Sequence, residues 1–135
     1  GQRCEVCRAT ADRRRRRWLE VHERWTYDDR TRVQRLGRLI CLCTPCHTVT
    51  HFGLAQVQGR EAEAKRHLMA VTGMDPAQAQ EHIDQAFEVW YARSQVVWEL
   101  DLGILTGAGV TVVPPPDAVR RAEEARAELA VRRGG

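Results

Sequence analysis

Polar and apolar residues alternate along residues 18–25, Trp-Leu-Glu-Val-His-Glu-Arg-Trp, with the two-residue period of a strand. Trp18, Glu20, His22 and Arg24 fall on one face; Leu19, Val21, Glu23 and Trp25 fall on the other. Tyr27-Asp28-Asp29 predicts a turn. Residues 33–42 predict a second strand, wholly apolar near its end. The pattern then changes to a helical one. A short helix is expected from His47 to about Leu54, stopped near Gly53. A second helix is expected over residues 60–72, with Ala64, Leu68 and Val71 on one face. Asp75-Pro76 supplies an N-cap and a first-turn proline for a third helix reaching about Val97, with Ile83, Phe87, Trp90 and Val97 inward. Residues 98–113 are apolar with three glycines and predict a short strand or hairpin. Pro114, Pro115 and Pro116 break the chain before an Ala/Glu/Arg segment, residues 117–133, expected as a helix or frayed tail. The fold class expected is α+β: a two-strand, helix unit over residues 1–56, a helical extension packed on it over 57–113, and the proline break with its last segment over 114–135.

Composition adds limits. The 135 residues suffice for one small domain, not two ordinary ones. No apolar run approaches the roughly 18 residues of a membrane span, and no secretory pattern is present. The first residue is Gly rather than Met, as expected of a piece of a longer chain. The net charge of +3 hides an asymmetry: residues 1–38 carry twelve Arg against six acidic residues, and the remainder is net acidic. Such a bias suits a polyanion, and Arg13, Arg14, Arg15, Arg16 and Arg17 are the expected phosphate contacts. The chain has twenty Arg, one Lys and no Asn, so a general composition bias also contributes to the arginine count, and the run could be a solvated loop.

Four of the five cysteines form two C-x-x-C pairs, Cys4/Cys7 and Cys43/Cys46, with thirty-five residues between Cys7 and Cys43. Each pair lets one tight turn aim two thiolates at one ion, and two such turns close a tetrahedral zinc site. Without a secretory signal, metal is preferred to disulfides, and a reducing, cytoplasmic compartment is expected. Cys41 is left over inside the apolar strand, where it reads as a small buried hydrophobe. His47 and His51, four apart, share a helix face; a hairpin packed on that helix would bring His22 to them. Three imidazoles around one ion with open positions form a catalytic type of site, although His pairs at this spacing also arise by chance. His67 and His82 stand without partners and read as surface or core residues.

In order, Cys4-x-x-Cys7, then Leu-Glu-Val-His-Glu over residues 19–23, then residues 39–51, Leu-Ile-Cys-Leu-Cys-Thr-Pro-Cys-His-Thr-Val-Thr-His, resemble the zinc-knuckle HNH endonucleases. The resemblance covers about residues 4–53. It implies a zinc-stapled ββα-metal module with structural Zn2+ at the four cysteines. It implies a second divalent ion, such as Mg2+, Mn2+, Ni2+ or Zn2+, at His22, His47 and His51, and DNA as the partner. The strand-end pair of that family houses a metal ligand and the adjacent general base. Here the pair is His22-Glu23, so Glu23 is the base if His22 binds metal; in the other register His22 is the base and Val21 takes the ligand position. The family's middle Asn corresponds to Arg38, and another loop residue or that Arg would have to replace it. The function expected is metal-dependent hydrolysis of DNA phosphodiesters. The alternatives are a catalytically weak or inactive nucleic-acid-binding module and a protein-interaction domain on the same scaffold, the latter using Trp90 and Trp98.

Overall fold

The computed structural model describes residues 2–113, 117, 119–121, 123, 124 and 127. The order of elements is β1 (Leu19–Asp28), β2 (Val33–Cys43), α1 (Thr44–Thr50), α2 (Phe52–Val57), α3 (Glu61–Thr72), α4 (Pro76–Ser94), β3 (Glu99–Asp101) and α5 (Gly103–Gly107). The chain is thus α+β, with a three-stranded sheet ordered β1-β2-β3. No helix among the described residues is long and apolar enough to cross a membrane.

β1 and β2 are sheet neighbours joined by four residues, a link short enough only for an antiparallel hairpin. Asp28 makes the turn. Its Oδ1 accepts from the N–H groups of Arg30 (2.9 Å) and Thr31 (3.1 Å), and Arg32 closes it at φ 57°. The turn therefore lies just beyond the expected Tyr27-Asp28-Asp29, with Tyr27 and Asp28 still in the strand.

The chain divides into two compact units. The first comprises Gly1–Glu23 and Leu39–Trp90. Here Ile40, Leu42 and three buried cysteines form one cluster with Leu19 and Cys7 against it. Leu68, Ala79 and Ile83 form a second, edged by Val49, Phe52 and Phe87. α1 packs on α2 and α3. α1 starts at Thr44, three residues before the expected His47. Cys43 stands at its N-cap, and Pro45 in the first turn has the fixed φ that turn requires. The helix breaks at His51 (φ −98°, ψ 48°) rather than at Gly53. Gly53 lies inside α2, where a Cβ would come within 3.6 Å of the Phe87 ring. α3 ends on Gly73 in the left-handed region. α4 is capped as expected: Asp75 Oδ1 accepts from Ala77 N and Gln78 N, and Gln78 returns a bond to Asp75 N. Ile83 and Phe87 face inward, but Trp90 is 49% exposed, because the core of this unit ends at Phe87.

The second unit comprises Arg24–Arg38 and Tyr91–Gly135. β3 runs parallel to β2, pairing Val33 with Glu99 and Arg35 with Asp101. The expected strand or hairpin over 98–113 is this strand followed by a helix, α5, which Asp101 opens by accepting from Gly103 N. Buried Trp98 stacks edge-on against Tyr27, and Arg93 lies 4.0 Å over the Tyr27 ring. Arg121 donates to the Trp98 carbonyl. Val97, expected inward, is exposed. Residues 119–121, 123, 124 and 127 are helical; Pro114, Pro115, Pro116 and the rest of the last expected segment lie outside the described residues.

Candidate metal centres

The first knuckle folds back on itself. Cys4 N–H donates to Ala9 O, Arg8 N–H donates to Cys4 O, and Arg8 takes φ 63°. Glu5 clips the knuckle to β2: its N–H donates to Cys41 O, and its Oε1 accepts from Cys41 N at 2.9 Å. The second knuckle is the β2–α1 junction, where Cys43 caps and Cys46 lies in the first turns. The Sγ atoms of Cys4, Cys7, Cys43 and Cys46 all lie within 4.8 Å of one another, with Cys7 and Cys43 3.5 Å apart. A tetrahedron with metal–sulfur bonds of about 2.3 Å has edges of about 3.8 Å, so the four thiols fit one ion. Cys41 is half-buried on β2 and outside this cluster.

The electrostatics agree with that fit. Burial pushes the Cys4 thiol up, but N–H groups of Cys7, Cys43 and Val6 outweigh it and bring its pKa down to about 6. Burial pushes Cys43 up to about 11. Burial, then the three neighbouring thiols, push Cys46 up further still. Burial thus favours the neutral thiols of Cys43 and Cys46 in the protein by itself, and a bound cation would favour their thiolates.

Strand alternation puts Glu20 and His22 of β1 on one face, and the first turns of α1 present His47 near both. His51, at the break after α1, completes the group. One ring nitrogen each of His22, His47 and His51 lies within 4.8 Å of the other two, and His47 Nε2 is 3.1 Å from His51 Nε2. Metal–nitrogen bonds of about 2.0–2.1 Å require neighbouring nitrogens about 3 Å apart, so this group also fits one ion. The His22 side chain is only 11% exposed.

Glu20 braces the cluster. Its Oε2 lies 2.6 Å from His47 Nδ1, and its Oε1 accepts from the Thr44 hydroxyl at 2.7 Å. Thr44 Oγ1 in turn accepts from Trp18 N at 3.0 Å. Burial alone would raise the Glu20 carboxyl, but the Thr44 hydroxyl and His47 hold it below the usual range. With its Nδ1 proton held by the carboxylate, His47 presents the Nε2 lone pair, the arrangement common to metal-bound histidines. Glu23, the next residue on β1, is 53% exposed, and its Oε2 lies 3.9 Å from His22 Nδ1.

The basic run forms a tight turn. Asp12 and Arg17 exchange both backbone hydrogen bonds, at 2.8 and 2.9 Å. Arg13, Arg14, Arg15 and Arg16 form the exposed tip, with Arg16 at φ 50°. Asp12 Oδ1 holds Arg15 N, and Arg17 Nε donates to Thr10 O at 2.9 Å. Trp18, next along the chain, is the residue clamped to Thr44, so the turn is anchored beside the histidine cluster.

Sequence reasoning named all seven clustered Cys and His residues but missed Glu20, Thr44 and His67. Glu20 was legible in principle, two residues before His22 on the same strand face. His67 has a partner after all: its Nε2 lies 3.1 Å from Cys46 Sγ, and burial, then the charge of Arg17, lower its pKa. No family model, curated protein or solved structure matches the chain.

Proposed function

We propose that the chain is a metal-dependent endonuclease of the HNH type, hydrolysing DNA phosphodiester bonds. The observation that carries this reading is the convergence of His22, His47 and His51, with His47 braced by Glu20, on a helix that starts within the cysteine cluster. Cys4, Cys7, Cys43 and Cys46 would hold a structural zinc that pins α1 to the end of β2. The three histidines would hold a second divalent ion, which when bound supplies positive charge to the scissile phosphate and its leaving oxygen. Glu23, beside His22, is the group assigned to take a proton from the attacking water. Arg13, Arg14, Arg15, Arg16 and Arg17 hold flanking phosphates as sequence-independent contacts.

The test pairs metal analysis with plasmid nicking in Mg2+, Mn2+, Ni2+ and Zn2+. One tightly held zinc per chain is expected, with nicking that needs a second added ion and stops with chelator. A protein that cuts nothing with any of the four ions, and takes up no ion at the histidines, is instead a binding module on this scaffold.

A further inference from the structure

Four thiolates around a divalent ion leave two negative charges in excess, and Cys4, Cys43 and Cys46 hold them away from water. Buried charge of this kind needs hydrogen-bond donors. Backbone N–H groups of Cys7, Cys43 and Val6 serve Cys4, and that of Cys46 serves Cys43. The side chain that reaches Cys46 comes from another element. His67, in α3, places Nε2 3.1 Å from Cys46 Sγ, and α3 packs directly on α1.

We propose that His67 is a positioning residue of the cysteine centre, donating Nε2–H to the Cys46 thiolate and thereby strengthening its hold on the ion. The inference rests on reading the four cysteines as metal ligands. A neutral imidazole carries one N–H, and a thiolate can only accept, so the proton belongs on Nε2. The bond draws charge off the sulfur and makes it a poorer target for a competing proton or oxidant. It also makes α3 part of the metal centre.

The test uses the whole chain loaded with Co2+, whose thiolate charge-transfer band reports on the sulfur lone pairs. His67→Phe keeps a ring without a donor, His67→Ala removes the donor without adding bulk, and His67→Gln restores an amide N–H. Partners of this kind set about 10–100-fold of metal affinity. The Phe and Ala variants are expected to lose Co2+ to a chelator by that factor more readily, with the band moved to longer wavelength as the lone pair rises. His67→Gln should recover part of both. A lost helix signal without a band shift would mark His67 as mere packing, and wild-type chelator resistance and band position in the Phe and Ala variants would equally overturn the proposal. If the wild-type protein shows no thiolate–cobalt band, the cysteine reading itself fails, and the role of His67 falls with it.

Discussion

The carboxylate of Glu20 decides which nitrogen of His47 is free. It takes Nδ1 at 2.6 Å, leaving Nε2 beside His51 Nε2. Glu20→Gln removes the charge while keeping an acceptor, so we expect ion affinity at the histidines to fall about 10–100-fold. Titration calorimetry with Mn2+ or Ni2+ measures this, and the cysteine-bound metal should be untouched. Affinity equal to wild type would make Glu20 a bystander. The knuckles were legible because spacing alone specifies them: two residues between thiols fit one turn and one ion. His47 and His51 were legible from the helical period, and His22 from strand alternation. Glu20 lay on the correct predicted face, but its role depends on the rotamer of a histidine twenty-seven positions away. His67 could not be read at all, because its contact with Cys46 arises only when α3 packs on α1.

Element by element, local rules held where the backbone decides and failed where packing does. Both long strands and the Asp75-Pro76 helix start follow from alternation and capping. The start of α1 was misplaced because Pro45 was not read as a first-turn residue. Trp90 and Val97 were expected inward from period alone, but periodicity does not say where a core stops. The β1–β2 turn matters most for the site, since a one-residue slip would turn His22 to the other face of the sheet. Asp28 fixes that turn. Hydrogen bonds from the Thr31 side chain, then Thr31 N–H and Arg30 N–H, hold its carboxyl below the usual aspartate range. A depressed carboxyl stabilises the fold above its ordinary pKa, and that contribution is lost as pH falls through the lower folded value. Asp28→Ala should therefore lower the melting temperature at neutral pH and much less in acid. Thermal melts across pH check this, and an equal drop at every pH would contradict it.

For the whole molecule, the proposal joins two metal centres and a basic turn within one compact unit. If the turn carries phosphates, replacing Arg13, Arg14, Arg15 and Arg16 with Gln should weaken DNA binding and flatten its salt dependence, similarly for unrelated sequences. Fluorescence anisotropy across a salt series gives the slope, and an unchanged slope would return these arginines to plain solvation. The central claim concerns the histidine cluster. His51 is its most exposed member and lies outside α1, so it can be removed with little disturbance to the cysteines. The direct measurement is therefore the nicking rate of supercoiled plasmid by wild type and by His51→Ala, at matched zinc content and with a second ion added. The account predicts ion-dependent nicking by the wild type and its loss in His51→Ala, with the cysteine-bound zinc retained. Equal nicking by the two proteins would contradict it.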